Sequence, residues 1–261
     1  MNRRILTGIV AAALAIMPAA AASASSHDTA EVVVVHGVPG LEVDVLVDGA
    51  AAIEGFNFGD DPVVTSLPAG SYTLAVAAAG TTDAILTLDT TLVAGTSVTV
   101  AAHLDASGDP QLRAYANQNS ATGIQPFHLA NFGAVDIFAG GEPVLEGVTN
   151  GQTARIDVDG GISVPGVGIG AAGSGEVAID LGTVTVPADT LVLAYAIGPD
   201  EGETLPSVLV ATVDVASDAG SVHSGNGGRA STALPTGVLV AMLLAIALVA
   251  TPVIARQRAN R

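Results

Sequence analysis

Cysteine, lysine and tryptophan are absent from this sequence, and aromatic residues fill only 3% of its 261 positions. Without cysteine there are no disulfides, no thiolate nucleophile and no thiolate metal site. Without lysine there is no amine nucleophile, and no Gly-x-Ser-x-Gly stretch supplies a serine one. With so few aromatics, any core must be built from Val, Leu, Ile and Ala. Such side chains at alternating positions fill the gap between two sheets well, whereas ligand pockets are usually lined with aromatics, so a packed module is favoured over an enzyme with a cavity. Between Glu31 and Val215 no stretch combines helical periodicity with caps over the ten or so residues a helix needs.

Positive charge is nearly missing from the middle of the chain. All 25 acidic residues fall between Asp28 and Asp218, while the eight arginines are Arg3, Arg4, Arg113, Arg155, Arg229, Arg256, Arg258 and Arg261. From Asp28 to Arg229 that leaves a balance of −22, three arginines against all 25 acids. A field of this sign repels nucleic acid and anionic headgroups and keeps a lysine-free surface solvated.

What is present is a repeat. His36, Asp44, Gly49, Glu54, Gly55 and Gly59 return 92 residues later as His128, Asp136, Gly141, Glu146, Gly147 and Gly151, and Val43, Val45 and Ile53 as Val135, Ile137 and Leu145. One spacing for polar and apolar positions together indicates duplication of a folding unit of about 90 residues. The later halves match at an offset of 93, Val93–Val100 against Val186–Leu193, so one residue is gained on the way.

Short β-runs separated by Gly, Pro, Asp and Asn fill this region. Glu42–Asp48 puts Val43, Val45 and Val47 on one face, the period of a half-buried strand. Similar runs are Ser71–Ala77, Ala84–Leu92, Ser97–Ala102, Gln111–Ala116, Ala134–Ala139, Thr153–Val158, Glu176–Leu181, Thr190–Ala196 and Ser207–Val215. Gly166–Gly175 is rich enough in glycine to predict a long turn. The expected fold is all-β, two tandem sandwiches of Ig-like or Greek-key type, residues 25–120 and 121–216, divided within Pro110–Gln125.

The two ends have a different character. Residues 1–24 read as a signal peptide, with Arg3-Arg4, the apolar Ile5–Met17 and the small-residue site Ala22-Ser23-Ala24. Residues 217–232 read as a flexible linker. Residues 233–255 form an uncharged apolar run long enough to span a bilayer as a helix, and the arginines of the tail, 256–261, put that tail in the cytoplasm and the acidic domains outside. Leu234-Pro235-Thr236-Gly237 is similar to a cell-wall sorting signal with its variable residue missing.

Val35-His36, Pro39, Val43-Asp44-Val45, Val47-Asp48-Gly49, Phe58-Gly59 and Pro68–Thr73 together resemble the bacterial domain of unknown function 4397, found in exported and surface-anchored proteins. The resemblance covers about residues 32–130, and continues more faintly through His128, Val135-Asp136-Ile137 and Gly141. The chain departs from the family at Gly37-Val38, and Gly140 stands where a second Asp48 would be. The resemblance implies an exported β-sandwich and brings no activity with it.

The one repeated polar pairing of catalytic type is His36 with Asp44 and His128 with Asp136. If the strands bearing them form a hairpin, imidazole and carboxylate meet at its mouth, which would suit either an exported hydrolase or a structural hydrogen bond. Hard oxygen ligands for calcium exist at Asp105/Asp109, Asp60-Asp61 and Asp157/Asp159, without EF-hand spacing. The expectation is a membrane-anchored envelope protein, held by its C-terminal helix, with no catalytic, cofactor or metal residues assigned. Its partner would be an envelope polysaccharide or protein, not nucleic acid. Hydrolase and calcium-stabilised adhesion module are the alternatives.

Overall fold

The computed structural model describes residues 28–199 and 202–216. The signal peptide (1–24), linker (217–232), membrane span (233–255), tail (256–261) and the Leu234–Gly237 motif lie outside the described residues. Among the described residues there is no helix long and apolar enough to cross a membrane.

The first unit contains β1 (Thr29–Gly37), β2 (Val43–Val47), β3 (Ala50–Phe56), β4 (Val63–Pro68), β5 (Gly70–Ala78), β6 (Ala84–Leu92), β7 (Ser97–Leu104) and β8 (Pro110–Asn117). The second contains β9 (Gly123–His128), β10 (Val135–Ala139), β11 (Glu142–Val148), β12 (Ile156–Asp157), β13 (Ile162–Ala171), β14 (Ile179–Val186), β15 (Thr190–Ile197) and β16 (Ser207–Asp214). The sheet orders are β4-β1-β7-β8 and β3-β2-β5-β6, then β12-β9-β15-β16 and β11-β10-β13-β14, the same order twice. All-β sandwiches are therefore what the chain forms. Each unit has one parallel pair, β1 with β7 and β9 with β15, in otherwise antiparallel sheets.

Each sandwich is filled by small aliphatic side chains, as the aromatic shortage requires. In the first, Val32 and Val34 of β1 meet Val43 and Val45 of β2, with Leu74, Val76 and Val100. In the second, Ile124, Val164, Val167, Val184 and Val192 form the equivalent layer, with Val135, Ile137 and Ile169 nearby. The β2–β3 hairpin turns at Asp48 and Gly49, φ 50° and 82°, and the β10–β11 hairpin at Gly140 and Gly141, φ 63° and 85°. Both central positions of such a turn need positive φ, so glycine replaces Asp48 in the second copy without changing the turn.

The two sandwiches do not hang as separate beads. The other face of β1, carrying Val33 and Val35, packs with Ala101 and Tyr115 against Phe127, Leu129, Leu191, Leu193, Tyr195, Ile197, Ala211 and Val213. This makes four sheets in sequence with three buried layers between them. The middle layer is a seam between the sandwiches. Phe127 meets Tyr115 edge-on at 5.8 Å and Tyr195 at 4.8 Å between ring centroids. Across the seam the Thr99 and Tyr195 hydroxyls lie 2.8 Å apart. Arg155 ties down the connection between β8 and β9, donating to the carbonyls of Gln118 and Thr122 and pairing with Asp157.

Three local expectations are corrected. Most of Gly166–Gly175 is strand rather than turn: β13 runs through Ala171, and only the residues after it turn. The glycines serve close approach, since a Cβ on Gly170 would stand 2.0 Å from the Glu176 carbonyl oxygen. For the same reason the Glu176–Leu181 strand begins only at Ile179, because the segment before it crosses over β13. The Thr153–Val158 run shrinks to the two residues of β12 plus one bridge from Thr153 to Phe127, as Arg155 is drawn to the connection instead.

Candidate functional site

The repeated histidine and aspartate define the first candidate site, and in neither copy do they form a hairpin. His36 lies near the end of β1, which pairs with β4 and β7, while Asp44 is on β2 in the opposite sheet. His36 Nε2–H donates to the Leu41 carbonyl at 2.7 Å, closing the crossing between the sheets. His128 does the same to Gly133 at 2.9 Å, again five residues on.

Each aspartate spends both oxygens on backbone. Asp44 accepts from Gly55 N–H at 2.8 Å and Gly80 N–H at 2.7 Å. Asp136 accepts from Gly147 at 2.8 Å and Gly173 at 2.7 Å. The carboxylates are 5% exposed and the imidazoles 2%. Each aspartate thus fastens two strands and a turn at one end of its sandwich: its own strand, the bulged hairpin partner, and the turn after β5 or β13. The expected imidazole–carboxylate bond is replaced by two separate backbone contacts.

The remaining ring nitrogen, Nδ1, of both His36 and His128 is buried without a partner. Burial holds both imidazoles below the ordinary histidine value, opposed by the bond to the Leu41 carbonyl at His36 and to that of Gly133 at His128. Beside them lie interior voids of about 10 Å³ in the first sandwich and about 30 Å³ in the second, lined by aliphatic residues such as Val43 and Val45, or Val135 and Ile137. The first has room for about one water-sized sphere and the second for about two or three, and neither for an organic substrate. A neutral imidazole whose free ring nitrogen is buried away from solvent has no route to a substrate proton.

The acidic turns are occupied by their own loops. Asp105 accepts from Ser107 and Asp109 N–H groups, and the Asp109 contact leads in holding its carboxyl below the usual range. Asp60 accepts from Asn57 N–H, and Asp157 pairs with Arg155. Among the described residues no three His, Cys, Asp or Glu side chains are grouped to hold a metal.

A second polar constellation, absent from the sequence reading, lies in the seam. Thr99 donates to Asn117 Oδ1 at 2.8 Å, Asn117 Nδ2 donates to Ser97 Oγ at 2.9 Å, and Thr99 meets the Tyr195 hydroxyl. At the other end of the seam His103 Nδ1–H donates to the Leu104 carbonyl, leaving Nε2 to accept from the Tyr115 hydroxyl. The signal that could have revealed it is the pair of uninterrupted runs Val32–Val35 and Leu191–Ile197, which lack the alternation of a half-solvated strand.

Residues 30–137 match the family model described as Domain of unknown function (DUF4397). The match takes in the whole first sandwich and continues through β9 into β10, so both histidines and both aspartates fall inside it. No curated protein matches the chain.

Proposed function

We propose that this chain, whose residues 30–137 carry the domain of unknown function 4397, is a non-catalytic, membrane-anchored envelope protein that displays its double sandwich outside the cell. The observation that supports a structural or recognition role is the inward commitment of the repeated histidine–aspartate pairs. His36, Asp44, His128 and Asp136 are consumed by backbone bonds in both copies, so duplication has preserved a folding device.

The position of the chain ends supports display. Ala69 N–H donates to Asp28, Gly95 N–H to Thr29, and Ala216 N–H to Asn119, so the start and finish of the body lie at one end. The loops after β1, β3, β5 and β7 lie at the other, and Asn150 of the second sandwich bonds Leu104 there. With residues 233–255 in a bilayer and the linker 217–232 between, that loop-bearing end faces away from the membrane. Glu42, Asp60, Asp61, Asp83, Asp105 and Asp109 make it acidic. An envelope polysaccharide or protein is its partner in this reading.

Protease treatment of intact cells expressing the chain with a cytoplasmic C-terminal tag tests this. Loss of the double sandwich with a membrane-bound, protected tag is the expected result. Recovery of the intact chain in the soluble cytoplasmic fraction overturns it.

A further inference from the structure

His103 and Asn150 meet at one backbone oxygen across the seam. His103 lies on β7 two residues after Ala101, on the face that packs against the second sandwich, and it is fully buried. Its Nδ1–H donates to the Leu104 carbonyl at 2.8 Å. Asn150 Nδ2, from the second sandwich, donates to the same oxygen at 2.9 Å and to the Ala130 carbonyl at 2.8 Å. On the other side of the ring Nε2 accepts from the Tyr115 hydroxyl at 2.8 Å. Both ring nitrogens are thus satisfied while the imidazole is neutral. The surroundings offer an added proton little compensation. From β8 come Tyr115 itself and Arg113, whose guanidinium stands 5.3 Å over the Tyr115 ring. β1 brings Gly37 alongside in register, and the second sandwich brings the Leu129 backbone and Asn150, none of them ionisable. The carboxylate that reaches the ring is Asp105, an exposed group already holding the Ser107 and Asp109 N–H groups. A proton on Nε2 would turn the Tyr115 hydroxyl from donor to acceptor and strip its O–H of a partner, with a second cation beside it.

We propose that His103 is an acid-operated catch between the sandwiches: neutral, it holds the seam shut at the loop-bearing end, and on taking a proton it lets the seam part there. The cost of the charge falls on the seam because of the face His103 occupies. Val100 and Ala102, on the opposite face of β7, belong to the first sandwich's own core, so parting the seam returns His103 to water and leaves that core in place. Burial does most to hold the imidazole below its ordinary value, opposed by the bond to Leu104; Arg113 lowers it further, and Leu129 and Asp105 raise it. The opened seam therefore binds the proton more tightly than the closed one. Closure is fully favoured above the ordinary value of 6.5 and is lost as pH falls from there toward the depressed one. Each pH unit in that window changes the opening equilibrium by up to about tenfold.

The molecule carries its own reporter. It has no tryptophan and three tyrosines, of which Tyr115 and Tyr195 are in the seam core. The third, Tyr72, bonds Pro68 on the first sandwich alone, so Tyr72→Phe leaves only seam emission. In the full-length Tyr72→Phe chain, the acrylamide quenching constant of tyrosine emission is followed from about pH 7.5 down to about pH 5, with far-ultraviolet circular dichroism recorded alongside. Quenching rises as pH falls below the ordinary value of 6.5 while the dichroism holds. His103→Gln, which keeps an acceptor for the Tyr115 hydroxyl but has no proton to gain, abolishes the rise. Asn150→Ala removes the second sandwich's hold on the Leu104 carbonyl and moves the midpoint to higher pH. His36 and His128 line the sandwich interiors instead, so their protonation registers in the dichroism. A flat profile, a rise that survives His103→Gln, a dichroism loss that follows the rise step for step, or a midpoint unmoved by Asn150→Ala overturns the catch. Asn150 is a half-buried turn residue, so its variant carries the test even if His103→Gln fails to fold.

Discussion

Replacing Asp44 by alanine separates a folding clamp from a catalytic dyad more directly than any other change. The variant leaves Gly55 and Gly80 N–H groups, now at 2.8 and 2.7 Å from a carboxylate, without acceptors in a buried corner. Hydrogen bonds to a charged group contribute about 1.5–3 kcal/mol each, so the pair accounts for about 3–6 kcal/mol. For a domain of this size about 2–4 °C of melting temperature accompanies each kcal/mol, which gives a fall of about 6–24 °C. Asp44→Asn keeps one acceptor and turns an amide toward the other N–H, so its melting temperature falls between wild type and alanine. Asp136→Ala produces a loss of similar size, because its two bonds to Gly147 and Gly173 match those of Asp44. Thermal unfolding followed by far-ultraviolet circular dichroism measures all three. A melting temperature for Asp44→Ala within about 2 °C of wild type refutes the clamp, since a loss of under about 1 kcal/mol cannot accommodate two orphaned buried donors.

Three further outcomes test other parts of the structure. Gly37→Ala puts a Cβ 2.9 Å from Ile197 Cγ2 in the seam, costing about 1–3 kcal/mol by overpacking, and Ile197→Ala in the same chain recovers part of it in urea unfolding. His36 and His128 are both depressed by burial, so the stability they contribute is complete above the ordinary value of 6.5 and is lost as pH falls toward their folded values. His36→Phe or His128→Phe therefore flattens the acid limb of a melting-temperature profile, and an unchanged limb contradicts their burial as neutral rings. A fragment ending at residue 120 exposes Val33, Val35, Ala101 and Tyr115 together, and sedimentation should find it self-associated, whereas a monodisperse monomer would mean the seam is dispensable.

Much of this protein was legible in its residues. The β-class, the duplication and the inward face of β2 with Val43, Val45 and Val47 follow from alternation and turn residues, which are local properties of the backbone. The 92-residue spacing also identified the residues that clamp each sandwich, and what it left open was their chemistry. A histidine and an aspartate eight residues apart suit a hairpin dyad as well as two separate fastenings. The crossing at Leu41 places them in opposite sheets, and no periodicity encodes a crossing.

The seam was the larger omission. Val32–Val35 carries apolar side chains on both faces of β1, and alternation is silent when both faces are buried. That run declares burial without naming what covers it. The covering sheet lies some hundred and sixty residues away in the chain, at Leu191, Leu193 and Tyr195, and its choice rests on shape and contact between distant segments. Sequence alone determined that two β-units would form; only the tertiary structure decided how each closes through its crossing and that the two share a core, because pairing of two buried faces leaves no period along the chain.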